Sequence, residues 1–529
     1  MKNMVSRTKT AVKTVSIKLM MSEPMSWFGE SLFREHVTVL FMHRANMPEL
    51  GVCGHSPEYL RKMLSYLSKQ GYVFLSLEQL LQEKDYIFQE KRGVIFTADD
   101  GFFDQAEVLA PIFMEFNCPL TIFLVTGFVD GKLWPWDDKV AYVFNNTSAA
   151  RITIDFAGNK LLYSLHDRAA RQRAIADFQR YGKSLPASQV TELLGLLAQA
   201  AGVEIPDKAP AQYRPLTWEQ ARALEKQGVR FAAHSVSHRI FSRMTEEEAR
   251  REIVESVERL RQELQYPLPV FAWPTGRQQD FNELSCRLLR EIGIEAAFST
   301  EPGCVSCGEF LDPEARYMLK RMSLRADMID VIQYVSWIEP FKMHLRAMKH
   351  AVLERVRLYV KRKLYGLLLL SGRMHQYVQL DWGRIERLVF VCKGNICRSP
   401  YAEYKAKAMR LNAVSFGLRA NGYAMANDEA IRQAVKRGID LMPHTSKTPE
   451  MIQLAPSDLV VCMEPWQARG MVERVTRSGA QITLLGLWSQ RKAPVIPDPY
   501  GRDRYSFAAC FNEIDACLRF LAERLQGKV

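Results

Sequence analysis

A cysteine followed six positions later by an arginine, with small and polar residues between them, can grip phosphate. The stretch Val391-Cys392-Lys393-Gly394-Asn395-Ile396-Cys397-Arg398-Ser399-Pro400 has this form. The Cys-x5-Arg spacing lets the Arg398 guanidinium close the far side of a loop and hold two phosphate oxygens at once. A lysine ammonium does this less well. Gly394 and Asn395 tolerate the left-handed backbone that curls the loop amides, including those of Ile396 and Cys397, toward one centre. Ser399 is placed to donate a hydrogen bond to the sulfur. Inward amides and the positive end of a following helix then hold a dianion and favour a thiolate at Cys392.

A second set of reactive residues lies far upstream. Thr97-Ala98-Asp99-Asp100-Gly101 places two carboxylates side by side, which is costly unless a cation or a shared proton relieves the repulsion. Standing alone, the pair would read more readily as a solvated acidic turn. His234 and His238 also follow an apolar run, and their spacing of four puts both imidazoles on one face of a helical turn. Two histidines and a carboxylate make a common divalent-metal shell that leaves positions for water and substrate. Val270 to Gly276, which contains Thr275, reads as a strand ending in a loop suited to line such a site.

The elements that must carry these groups are strands. Val37 to Met42 is a strand candidate ending at His43, followed by a helix over Pro57 to Gln70 that stops at Gly71. Strands over 72–75 and 94–97 follow, with a short helix at 77–81 between them. This alternation predicts a parallel α/β architecture, a barrel or distorted barrel. Residues 140–210 read as an insertion, helical over 160–200, with a proline-containing return loop from Pro206 to Pro215. Toward the end of the chain, strands over 388–391, 413–417, 459–463 and 482–485 alternate with helices over 402–409, 427–437 and 506–525. They predict a small α/β domain with a four-stranded parallel sheet.

On these residues CKGNICRSP resembles the signature loop of the low molecular weight protein tyrosine phosphatases. That resemblance extends over almost all of 385–529. It implies that Cys392 attacks phosphorus to form a cysteinyl-phosphate. Asp498, in Pro497-Asp498-Pro499-Tyr500, then serves as general acid and later activates water, while Tyr500 flanks the substrate ring. Cys397 could form a reversible disulfide with Cys392, or be a packing thiol. TADDG, HSVSH, FAWPTG and the preceding Leu216 to Gln220 resemble polysaccharide deacetylases of the carbohydrate esterase family 4 type, over about 35–330. That resemblance implies a distorted (β/α) barrel in which Asp100, His234 and His238 bind a divalent metal, zinc or otherwise cobalt or a similar ion. Asp99 is then the general base for attack of water on an N-acetyl carbonyl, and the Thr275 amide is an oxyanion donor. Family members often take the general acid from a late histidine. None occurs between His238 and His344, so His43 is the expected substitute.

The resulting division is a basic lead-in (1–35), a deacetylase-like barrel (36–335), a basic helical connector (336–384) and the phosphatase domain (385–529). A chain of 529 residues suits several domains. Its 71 Lys and Arg against 59 Asp and Glu give +12, which favours anionic partners. No zinc-finger or RNA-binding motif points to nucleic acid. Ten irregularly spaced cysteines fit a reducing cytoplasm, and the lone Cys304/Cys307 pair suggests no metal. The basic run over 342–370 reads as a packing connector, or as a peripheral contact with anionic lipid at the inner membrane. Partners implied by the resemblances are an N-acetylated glycan and a phosphotyrosine protein, such as a bacterial tyrosine kinase of polysaccharide export. Two rivals stand beside this reading: a barrel reduced to a glycan-binding module, and an arsenate reductase, which would need relay cysteines downstream.

Overall fold

The computed structural model describes residues 17, 20–21, 29, 35–83, 88, 92–345, 360, 364–365, 367–368, 371–372, 374–420, 422, 424–489, 493–501 and 504–527. Most of the basic lead-in and of the basic 342–370 run within the expected 336–384 connector lies outside them. The chain forms two compact units, Met1–Arg346 and Ala347–Val529. Among the described residues no helix is long and apolar enough to cross a membrane.

The first unit is built on a curled parallel sheet. Its strands are β1 (His36–Met42), β2 (Val73–Leu75), β3 (Gly93–Asp100) and β4 (Leu120–Leu124), then, beyond an inserted hairpin of β5 (Arg151–Phe156) and β6 (Asn159–Ser164), β7 (Arg230–Ala233), β8 (Val270–Ala272) and β9 (Ala296–Phe298). Short strands β10 (Val305–Ser306) and β11 (Met322–Ser323) complete it. The order is β10-β1-β3-β4-β7-β8-β9, with β2 beside β3 and β11 beside β1. The seam between β9 and β1 is spanned only by a short segment, in which Leu319 bridges Phe298 and β11 pairs with Leu40 and Phe41. The expected distorted barrel is therefore a curled half-barrel with an irregular closure.

Side-chain alternation decides what faces the lumen. Leu40, Phe96, Ile122 and Phe231 pack outward with helical residues such as Leu60 and Leu64. Val39, Ile95, Phe123, Ala232 and Ala272 form the inner cluster. Continuing the inner rows, by four residues from Ile95 and by two from Ala232, brings Asp99 and His234 to the carboxyl ends of β3 and β7. The helix Pro57–Lys69 forms where expected, because Ser56 accepts the Tyr59 N–H, Pro57 opens the first turn and Gly71 has φ 73°.

The insertion differs from expectation at its start. Residues 151–164 pair as an antiparallel hairpin, and the exposure of β5 alternates along its length. Only then do the helices Arg168–Gly182 and Ala187–Ala201 follow. Hairpin and helices share their own apolar core around Ile152, Ile154, Phe144 and Phe178.

The second unit holds β12 (Arg387–Cys392), β13 (Ala413–Gly417), β14 (Asp458–Cys462) and β15 (Gln481–Leu484), in the order β13-β12-β14-β15. All neighbours are parallel, giving the four-stranded sheet read from the sequence. The strand order reverses at β12, and such a switch point opens a crevice at the strand's carboxyl end. Cys392 ends that strand.

Candidate active sites

In the first unit, β3 ends in a backbone that few residues tolerate. Asp100 has φ 82° and Gly101 φ 87°, and a Cβ on Gly101 would lie 2.7 Å from a Leu124 methyl. This turn separates the two neighbouring carboxylates. Asp99 accepts two parallel bonds from Arg321, both 2.8 Å, with the two side chains 2% and 0% exposed. The guanidinium lies over the Phe41 ring at 4.6 Å and is held by the Ser299 carbonyl and the Thr97 hydroxyl. Burial alone would raise the Asp99 pKa, but Arg321 outweighs it and holds the carboxyl down at about 2.

Asp100 instead meets the histidines. Its Oδ1 lies 3.5 Å from His234 Nε2 and 3.4 Å from His238 Nε2, and the three ligand atoms fall within 4.8 Å of one another. His234 Nδ1 is 2.7 Å from the Ala272 carbonyl, which fixes it as the protonated nitrogen and turns Nε2 toward Asp100. Burial, with Asp99 opposing it, pulls the His234 pKa down to about 4, so the ring is neutral. Asp100 Oδ1 is buried without a hydrogen bond, which suits a cation at this point.

The histidine pair is not on a helical turn. Residues 234–240 form a loop in which Ser235 and His238 are left-handed, with φ of 68° and 57°. Buried Glu252 organises it by accepting the Val236 and Ser237 N–H groups, both at 2.9 Å, while the Ser235 hydroxyl accepts from His238 N–H at 2.9 Å. The two rings still come together, 5.0 Å apart.

Asp99, Asp100, His234, His238, His43 and Thr275 all line one cavity of about 630 Å³. His43 is an exposed residue of this cavity, and Thr275 sits at φ 60°. Arg321 and Asp138 carry no sequence signal of their own. Asp138, from the helix Trp136–Asn146, also lines the cavity, and burial, with Asp100 adding to it, pushes its carboxyl up to about 8. Cys304 is buried against Thr38, and burial raises its thiol to about 12.

In the second unit the Cys392 loop wraps around Asn395. Asn395 is fully buried at φ 53°, and Nδ2 donates to Ser399 Oγ at 2.9 Å and Ser415 Oγ at 2.7 Å. Its Oδ1 accepts the Lys447 N–H at 2.7 Å. With Asn395 held, its N–H points at Cys392 Sγ at 3.2 Å and the Ser399 hydroxyl donates to the same sulfur at 3.0 Å. Gly417 makes room, since a Cβ there would meet Asn395 N and Gly394 C at 2.7 Å.

Arg398 opens the helix Arg398–Ala408, earlier than the predicted 402. It is 1% exposed and donates Nη1 to Glu464 and the Ile496 carbonyl, while Nη2 lies 2.8 Å from Asp498. Cys392, Gly394, Ile396, Cys397, Arg398, Asp498, Tyr500 and the unforeseen Arg419 surround a cavity of about 280 Å³. Tyr500 is 61% exposed on its rim. Burial raises the Cys397 thiol well above its ordinary range, and the neighbouring Cys392 adds to this.

Residues 387–529 match the family described as Low molecular weight phosphotyrosine protein phosphatase, and residues 88–297 match Polysaccharide deacetylase. The low molecular weight protein-tyrosine-phosphatase Ptp of Acinetobacter johnsonii is 32% identical over 139 residues, which are 26% of this chain and 94% of that protein. The phosphatase Wzb of Escherichia coli K12 is 29% identical over 143 residues, 27% of this chain and 96% of its own. The Streptococcus pyogenes deacetylase PplD in complex with acetate aligns with TM-score 0.38 and 15% identity, over 57% of this chain and 100% of that one. From Arg387 onward the chain belongs to the low molecular weight protein tyrosine phosphatase family, and it joins that enzyme type to a polysaccharide deacetylase domain.

Proposed function

We propose that the second unit hydrolyses phosphotyrosine in proteins through a cysteinyl-phosphate on Cys392. The observation that carries this reading is the convergence of Cys392, Arg398 and Asp498 on one small cavity. Two donors aimed at Sγ suit the charge it carries as nucleophile and regains as leaving group. Asp498 and a phosphate dianion compete for the Arg398 guanidinium, so phosphate binding frees the carboxyl for the departing oxygen. Sγ attacks phosphorus, the P–O bond to tyrosine breaks, and Asp498 gives its proton to the phenolate. Water then attacks phosphorus, Asp498 takes the water's proton, and the S–P bond breaks to release phosphate. An arsenate reductase would need accessible relay thiols, whereas Cys462, Cys510 and Cys517 are buried. Replacing Cys392 by serine abolishes turnover of a phosphotyrosine peptide, and retained turnover overturns the assignment.

The first unit, in this reading, removes acetyl groups from an N-acetylated sugar or polysaccharide, with Asp100, His234 and His238 holding a divalent metal such as zinc. A bound metal would polarise the acetyl carbonyl and activate a water. Asp99, kept ionised by Arg321, accepts the proton from that water. The Thr275 N–H, which makes no hydrogen bond among the described residues, donates to the developing oxyanion, and His43 protonates the leaving amine. The proposed setting is cytoplasmic polysaccharide production, with a tyrosine kinase of polysaccharide export as the phosphoprotein. Purified protein is expected to hold about one metal per chain, lost in the His234→Ala/His238→Ala double variant, and to release acetate from N-acetylglucosamine oligomers. Unchanged metal content removes the site; binding of oligomers without acetate release leaves a glycan-binding module.

A further inference from the structure

Arg44 and Asp138 line both the candidate deacetylase cavity and a second cavity of about 660 Å³. The two spaces therefore abut. The far walls of the second come largely from the insertion, with His166, Arg168 and Arg171 on one side and Tyr213 on another. The insertion has its own packed core and Tyr213 packs separately with Trp134 and Phe128, so these walls are held as part of the fold.

Three guanidiniums face this cavity, and two of them are uncompensated. Arg44 is paired with Asp104 at 2.8 Å. Arg171 donates through Nη1 to the carbonyls of Phe144 and Thr147, neutral acceptors that orient the group without cancelling its charge. Arg168 is exposed at the first turn of the helix Arg168–Gly182. Among the described residues neither Arg168 nor Arg171 forms an ion pair. Of the two acids on the wall, Asp167 is already engaged, accepting the Ala170 N–H at 2.6 Å and lying 3.2 Å from His166 Nε2. Asp138 stands at the junction with the other cavity.

We propose that the second cavity is a subsite for an anionic group, carboxylate or phosphate, carried by the sugar next to the acetylated one. The proposal rests on the deacetylase reading of the first cavity. Guanidiniums suit both anions because each presents paired oxygens to the planar fork. A substrate whose acetylated residue lies by Asp100 reaches this charge through its neighbour. The insertion thereby selects acidic polymers or phosphate-linked sugars over neutral ones.

The test uses the full chain and three probes: chitotetraose, a hyaluronan tetrasaccharide and chitobiose phosphorylated at O6 of one of its two sugars. Binding is read by calorimetry alongside acetate release. The two charged probes separate carboxylate from phosphate as the preferred anion. At least one of them is expected to bind about tenfold more tightly than chitotetraose at low salt, with the advantage collapsing in 0.5 M salt (about 4 Å screening). Arg168→Gln, at an exposed position, removes most of that advantage and leaves chitotetraose unaffected; Arg171→Gln does the same if its carbonyl contacts are dispensable to the fold. Equal binding of charged and neutral probes, or equal loss for both in Arg168→Gln, overturns the subsite. Charge-dependent binding without acetate release from any probe defeats the deacetylase reading alone. Acetate release without charge preference defeats the subsite alone.

Discussion

Replacing Asn395 by alanine removes three buried hydrogen bonds from a residue that also holds left-handed backbone. The losses are unequal. Ser399 and Ser415 keep their own donations, to Cys392 Sγ and Glu403, so each loses one accepted bond, about 1 kcal/mol apiece. The Lys447 N–H loses its acceptor, for a further 1–2 kcal/mol or so. Alanine at φ 53° adds about 1 kcal/mol of backbone strain. The sum is about 4–5 kcal/mol. Asn395→Gly loses the same hydrogen bonds but not the strain, and is expected to be about 1 kcal/mol less damaging although it deletes one more carbon. Hydrogen exchange read by mass spectrometry on peptides spanning β12 and β13 reports the stability of this unit inside the intact chain. A loss under about 1 kcal/mol in Asn395→Ala would refute the hydrogen-bond accounting. Glycine no better than alanine would refute the backbone term.

Arg321→Met strands the Asp99 carboxylate in a buried site, and the first unit should lose about 3–5 kcal/mol by thermal unfolding. Adding Asp99→Asn recovers most of that loss, and no recovery would mean that lost packing, not charge, dominates. Burial, opposed in part by the Asn395 carbonyl, holds the His444 imidazole below its ordinary range. The folded unit then binds fewer protons than the unfolded chain as pH falls, so its stability is full above about 6.5 and declines toward pH 5. His444→Gln should flatten that decline in a pH series of melting curves, and an unchanged slope assigns it elsewhere. Gly417→Ala drives a Cβ into the backbone of the Cys392 loop, and displacement of the loop should cut kcat/KM on p-nitrophenyl phosphate about a hundredfold while the unit stays folded. Activity within a factor of two would show that the loop can shift freely.

What the sequence showed and what it hid divide by range. The phosphate loop is legible because its ligands, its left-handed residue and its following helix lie within one short stretch, and a strand precedes it. The cluster of Asp100, His234 and His238 is legible in kind but not in geometry. His234 and His238 meet because Glu252, fourteen residues beyond His238, gathers the loop amides, and periodicity alone does not reveal that. Strands β9, β10 and β11 are two or three residues long, too short to show alternation. The hairpin at 151–164 sits in a mixed-charge region whose later residues are helical.

Arg321 is the strongest case of concealment. It lies 222 residues from Asp99 in Lys320-Arg321-Met322, which reads as surface charge, yet it is fully buried. A buried arginine survives only where a carboxylate and aromatic faces offset its desolvation. Such compensation is invisible until the half-barrel curls β11 back beside β1. The same pairing decides which partners each carboxylate of the pair takes. Arg321 occupies both oxygens of Asp99, while Asp100 Oδ1 lies within 3.5 Å of both histidines. The different partners of two adjacent, chemically identical side chains are therefore set by a residue that no local motif contains.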